Sequence, residues 1–337
     1  MKYFGPFAVG LVLVAVVACA PADRTQAVEG MFPELRGDYM GQALPGSQSE
    51  IFAPGIVSTG LETRDMAMTP DGNEMFFSVF VNGKAMIMMA RRTDGAWSEP
   101  VVAPFSGEFM DLEPCISPDG TKFFFISTRP QEGQEPKSGW VYQDIWVMDR
   151  KGQGWGPPRN LGPPVNTDAP EYFPSITSDG TIYFTREGQD RVSKTYRSRP
   201  IDGGFAEPEV LPQQVNLGTN RFNAFVAPDE SFVIVPAVGG PGSLGGVDYY
   251  VVHRNDDDTW QEPVNLGPTI NNSSGKEWSA SLSPDGEYLF FMSSRLVEGD
   301  AGAQAGTTLG ELVARGSQPG HGSPCIWWVE VEGALGL

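Results

Sequence analysis

One short turn, returning five times, limits what this chain can fold into. It reads Thr69-Pro70-Asp71-Gly72, Ser117-Pro118-Asp119-Gly120, Thr177-Ser178-Asp179-Gly180, Ala227-Pro228-Asp229-Glu230 and Ser283-Pro284-Asp285-Gly286. Pro at the second position of a turn has its φ preset, and Asp and Gly complete the turn chemistry. The Asp residues recur at steps of about 48–60 residues, a period that implies a repeat architecture. After each turn comes a short aromatic and β-branched run, such as Phe123-Phe124-Phe125-Ile126 or Tyr288-Leu289-Phe290-Phe291. Runs this apolar read as strands buried on both faces. A third strand follows in each unit, for example Asp144-Ile145-Trp146-Val147.

A fourth segment places an aromatic three residues before a proline: Trp97/Pro100, Trp155/Pro158, Phe205/Pro208 and Trp260/Pro263. Proline belongs on an edge strand, so this segment is the outer strand of a four-stranded antiparallel sheet. The expected fold is all-β, a five-bladed β-propeller. The last unit has no such segment, but Ile51–Val57 carries Ile51 three before Pro54. Residues 51–57 are therefore expected to supply the missing outer strand and close the ring.

The ordered motifs resemble the WD40-like, or PD40, repeats of TolB-type bacterial propellers over roughly residues 51–334. The matching features are the SPDG turns, Ser127-Thr128-Arg129 and Ser293-Ser294-Arg295, Asp144-Ile145-Trp146, and the Trp-x-x-Pro segments that run on to Leu161-Gly162 and Leu266-Gly267. The resemblance implies a propeller. TolB-type proteins resemble a six-bladed ring joined to an α/β domain, so six blades is the alternative to the five turns counted here. A shared fold does not carry a shared function.

Residues 1–18 read as a signal peptide. Lys2 precedes an apolar run, Phe7 to Val17, too short to span a membrane. Val16-Val17-Ala18-Cys19 resembles the lipobox of bacterial lipoproteins, which implies lipid attachment at Cys19. The other reading is an ordinary signal peptide cut near Ala18–Ala20. Ala20 after the cysteine resembles an outer-membrane rather than an inner-membrane lipoprotein. Residues 19–50 then form a tether and 51–337 the propeller. The expected location is the periplasmic side of the envelope, with the membrane engaged only through the lipid.

A net charge of −19 argues against a nucleic-acid partner, which needs clustered basic residues. The remaining cysteines, Cys115 and Cys325, fall in non-adjacent blades and are expected as buried thiols. His253 and His321 stand alone, so no metal or cofactor is expected. No nucleotide, zincin or nucleophile-elbow motif occurs. The run Asp256-Asp257-Asp258 reads as a solvated turn.

The residues just before each inner strand should face one mouth of the central channel. Eight and six positions before the turn Asp stand Thr63/Asp65, Asp111/Glu113, Glu171/Phe173, Arg221/Asn223 and Glu277/Ser279. The candidate ligand-binding residues are thus Asp65, Asp111, Glu113, Glu171, Arg221 and Glu277. The same acids could instead bond the backbone at the start of each blade. The expected function is a binding or scaffolding module for an envelope protein or glycan. The alternative is a carbohydrate-active hydrolase, which needs two carboxyls at a defined spacing. Two longer insertions, residues 130–143 and the Gly-rich 296–323, are further binding candidates.

Overall fold

The computed structural model describes Met1 and residues 32–131, 133–135, 142–273, 276–297, 299–300 and 302–335. Contacts divide the chain into Met1–Pro33 and Glu34–Leu337, and the propeller lies within the second unit. The expected leader and Cys19 fall outside the described residues.

Five antiparallel sheets make five blades. Blade 1 runs Glu62–Met68, Glu74–Val81, Lys84–Thr93 and an outer strand in two pieces, Ala96–Trp97 and Val101–Val102. Blade 2 runs Asp111–Ile116, Lys122–Ser127, Asp144–Lys151 and the pieces Gly154–Trp155 and Arg159–Asn160. The break in each outer strand contains Pro100 or Pro158, which cannot donate to the ladder. Blade 3 holds Glu171–Ile176, Ile182–Glu187, Ser193–Ser198 and Glu209–Val210. Blade 4 holds Asn220–Arg221 with Phe225–Val226, Phe232–Val238, Asp248–His253 and Val264–Asn265. Blade 5 holds Glu277–Leu282, Tyr288–Ser293 and Cys325–Glu330.

Blade 5 is completed by Glu50–Ile51, paired as Glu50↔Trp328 and Ile51↔Trp327. The ring therefore closes from the N-terminal side, on a shorter segment than 51–57. Phe52 adds one more backbone bond to Ile326. Ala53 then takes φ 41°, and a turn through Ser58 ends the pairing. Within the second unit, the later part of the segment read as a tether lies on the ring. Tyr39 and Met40 are buried with Phe52, Phe290 and Trp328, and Trp97 Nε1 donates to Gly37 O at 2.8 Å.

The turns hold as their chemistry requires. Ser117 Oγ donates to Asp119 at 2.6 Å, and Asp119 accepts from Thr121 N at 3.0 Å. Thr69/Asp71, Thr177/Asp179 and Ser283/Asp285 repeat the first bond. The core sits in the seams between blades. Each of five apolar clusters bridges adjacent sheets, as when Phe76 and Ile87 meet Phe123 and Phe125 between blades 1 and 2.

Asp256 and Asp257 are exposed in their turn, whereas Asp258 is half-buried and ion-paired. It takes both amino groups of the buried Arg197 at 2.7 and 2.6 Å and Arg254 Nε at 2.8 Å, pinning blade 4 to blade 3. The Gly-rich insertion carries the helix Leu309–Gly316, started by a capping box between Thr308 and Glu311. Cys115 and Cys325 are free thiols. Among the described residues no helix is long and apolar enough to cross a membrane, and no group of three or more His, Cys, Asp or Glu is placed to hold a metal.

Candidate functional site at the channel mouth

The inner strand of each blade does not alternate regularly. Its register with the second strand shifts between Arg64 and Ala67, Leu112 and Cys115, Tyr172 and Ser175, and Glu277 and Ala280. At the shift Asp65, Glu113 and Phe173 take φ of 60°, 56° and 51°, and Asn223 of blade 4 takes 53°. This is a β-bulge repeated around the ring, and a bulge re-aims the side chains beside it. The two positions expected to line the mouth are thereby separated.

The acids eight before the turn face into their own blades, and Arg221 of blade 4 turns back toward blade 3. Asp111 receives Arg129 Nη2 at 2.7 Å, and that guanidinium lies over the rings of Phe125 and Trp146 at 5.1 and 5.3 Å. Glu171 receives Arg186 Nε at 2.7 Å and Thr167 Oγ1 at 2.5 Å. Glu277 accepts from Ser293 Oγ at 3.0 Å, while Arg295 lies over Phe291 and Trp327. Burial pushes the Glu277 carboxyl up to about 8. Arg221 donates to the carbonyls of Leu217, Ser193 and Gly218. These four candidates form blade-start clamps of acid, arginine and aromatic, or of arginine and backbone. They do not line the axial cavity.

The residues six before the turn form the floor. Arg64 Nε lies 2.8 and 2.9 Å from the two oxygens of Asp65, and Arg64 Nη2 donates to Glu113 Oε1 at 2.6 Å. Glu113 Oε2 accepts from Phe173 N at 2.7 Å, and Asn223 Nδ2 donates to Oε1 at 3.3 Å. Blades 1, 2, 3 and 4 thus meet on one buried carboxylate. Burial pushes the Glu113 carboxyl above the usual carboxylate range, and the adjacent Arg64 pulls it back down. Asp65 and Glu113 are the two candidates that converge on the axis, and one guanidinium serves both.

The position between, seven before the turn, was not singled out in the sequence. It places Arg64, Leu112, Tyr172, Phe222 and Trp278 around a cavity of about 260 Å³, with Glu113 in its wall. Phe222 and Trp278 meet edge to face with centroids 6.5 Å apart. Arg64 and Lys276 both lie over the indole, at 5.9 and 5.5 Å. The Tyr172 hydroxyl shares a hydrogen bond of 2.6 Å with Ser193 Oγ, while Trp278 Nε1 is buried without a partner. An open wall of three aromatic rings with charged and amide groups set between them suits a ligand that presents both CH faces and hydroxyls.

A closed ring of five antiparallel blades defines a five-bladed β-propeller. No protein-family model matches the sequence, and no curated protein matches it. Among solved structures it is similar to a putative TolB from Agrobacterium tumefaciens, at 18% identity and TM-score 0.43, over 68% of this chain and 69% of that one. It is similar to TolB from Acinetobacter baumannii at 18% identity and TM-score 0.42, over 69% of this chain and 51% of that one, about half its length. It is also similar to a thermostable family-43 glycoside hydrolase, at 12% identity and TM-score 0.44, over 70% of this chain and 84% of that one. At these values nothing about this protein's activity follows from the likeness.

Proposed function

We propose that this protein is a binding module of the bacterial cell envelope, anchored through a lipid on Cys19, and that its axial cavity holds a sugar residue of an envelope glycan. The observation that carries the reading is the convergence of Tyr172, Phe222 and Trp278 over the Arg64–Glu113 pair. Aromatic faces take the CH side of a sugar ring, and Arg64 and Asn223 are donors for its oxygens. The net charge of −19 fits a partner without phosphates. Binding is favoured over hydrolysis because the axial carboxylates are already engaged. Asp65 meets Arg64 with both oxygens, and Glu113 has Arg64, Asn223 and the Phe173 amide.

The test is a glycan array followed by calorimetric titration of whatever binds. Trp278→Ala is expected to weaken binding at least tenfold without lowering the melting temperature by more than a few degrees. No binding across the array, or unchanged affinity in Trp278→Ala, refutes the sugar reading. Turnover of a bound glycan that disappears in Glu113→Gln would put the hydrolase in its place. Globomycin-sensitive processing and loss of membrane association in Cys19→Ser test the anchor.

A further inference from the structure

Three of the first four blades finish their third-to-fourth hairpin with the same pair, an arginine opposite a tryptophan. The pairs are Arg92↔Trp97 in blade 1, Arg150↔Trp155 in blade 2 and Arg254↔Trp260 in blade 4. Each tryptophan fills the seam toward the preceding blade. The guanidinium lies over the indole at 5.7 Å in blade 1 and 4.7 Å in blade 2. Each arginine then reaches an acid: Asp38, Glu74 and Asp258 respectively. Blade 3 departs from this pattern. At the matching register it has Pro200↔Phe205, which supplies neither a guanidinium nor an indole.

The seam between blades 2 and 3 is where a cleft of about 400 Å³ opens. Its floor is Phe124, Val147, Leu161 and Ile176, with Phe205 and Pro200 on the blade 3 side. Phe205 is half-buried, as Trp155 is, and a Cβ on Gly203 or Gly204 beside it would meet nothing within 4 Å. Lys122 and Arg159 at the rim both lie by Asp149, at 2.7 and 3.7 Å, and Asp119 lines the cleft as well, so two cations meet two carboxylates and no unbalanced charge is offered. The volume falls within the range of small-molecule sites, which are mostly apolar with a few polar groups.

We propose that this cleft is a second binding site, separate from the axial cavity, and that it takes a neutral planar aromatic group of indole size. The ligand occupies the seam that the neighbouring blades fill with their own tryptophan. Its ring lies between the apolar floor and Phe205, with Lys122, Arg159 and Asp119 around its edge. Two sources share this chemistry, a free indole-type metabolite and a tryptophan side chain presented by a partner chain.

The experiment uses indole and N-acetyltryptophanamide as probes on the mature protein, followed by NMR. Wild type is expected to show saturable binding, with ligand-to-protein NOEs to the methyls of Val147, Leu161 and Ile176. Phe205→Trp is expected to fill the site and weaken indole at least tenfold. Trp278→Ala at the axial cavity is expected to leave indole affinity unchanged. Binding of indole alone assigns a free ligand, and binding of both probes assigns a presented tryptophan. Absence of saturable binding to wild type overturns the proposal, as do NOEs that map to Tyr172 or Phe222 instead. If Phe205→Trp does not fold, the wild-type NOE map and the Trp278→Ala control still decide.

Discussion

Replacing Phe52 with alanine tests whether the N-terminal segment locks the ring. Phe52 is fully buried. Its ring meets Phe290 and Trp328 edge to face at 5.0 and 5.2 Å, and its amide donates to Ile326 O at 2.9 Å. Removing a buried phenylalanine costs about 3–5 kcal/mol. The cavity left here opens between blade 5 and the segment that completes it, where few neighbours can relax inward. The expectation is roughly 4 kcal/mol, which for a domain of this size lowers the melting temperature by roughly 8 °C at about 2 °C per kcal/mol. Calorimetry and urea titration read the effect. Val101→Ala, on an exposed outer strand, is the control and should stay within about 0.5 kcal/mol of wild type. A loss below about 1 kcal/mol in Phe52→Ala would show that the closure contributes little and that four sheets and a three-stranded fifth hold without it.

Arg64→Met leaves Asp65 and Glu113 buried without their shared cation and should cost about 3–5 kcal/mol, read by urea unfolding at pH 7. Glu277 is a carboxyl whose folded pKa lies above its unfolded one, so it takes up a proton on folding. Its contribution to stability falls as pH rises from about 4.5 through about 8. Glu277→Gln should remove that slope and melt higher than wild type at pH 9, and an unchanged melting profile between pH 5 and 9 would refute the assignment. Asp258 shows the opposite sign. The hydrogen bonds from Arg197 hold its carboxyl well below the usual range, so its stabilisation is full above about pH 4 and is lost on further acidification. Asp258→Asn should therefore flatten the acid limb of the stability curve, measured by tryptophan fluorescence from pH 5 downward.

The blade count was legible because turn chemistry is local. Asp119 bonds Ser117 and Thr121, two residues away on either side, so the sequence pattern and the contact are the same object. The closing strand was legible from the spacing of Ile51 and Pro54, which matches the other outer strands, except that Ala53, with its positive φ, ends it earlier than Pro54 alone indicated. The channel mouth was only half legible. Counting back in steps of two assumes an unbroken pleat, and the bulge at Asp65, Glu113 and Phe173 breaks it. Asp111 and Glu171 consequently turn into their blades, and Tyr172 and Trp278, passed over by that count, line the cavity. A signal for the clamps was present in Arg129 and Arg295, which end the motifs Ser127-Thr128-Arg129 and Ser293-Ser294-Arg295. The role of Asp258 was hidden because its partner Arg197 lies 61 residues away in another blade.

The closure also sets when the molecule can be finished. Ser58 Oγ bonds Ile326 O across 268 residues of sequence, and Glu50 pairs with Trp328. A chain that emerges from its N-terminal side can form its middle sheets in turn, but residues 50–58 have no partner until Cys325–Glu330 have followed. Contacts this far apart in sequence make for slow folding. Until they form, Phe290 and Trp328 lie open to chaperones and proteases, and a chain stopped short of Cys325 leaves Glu50–Phe52 without a strand to pair with.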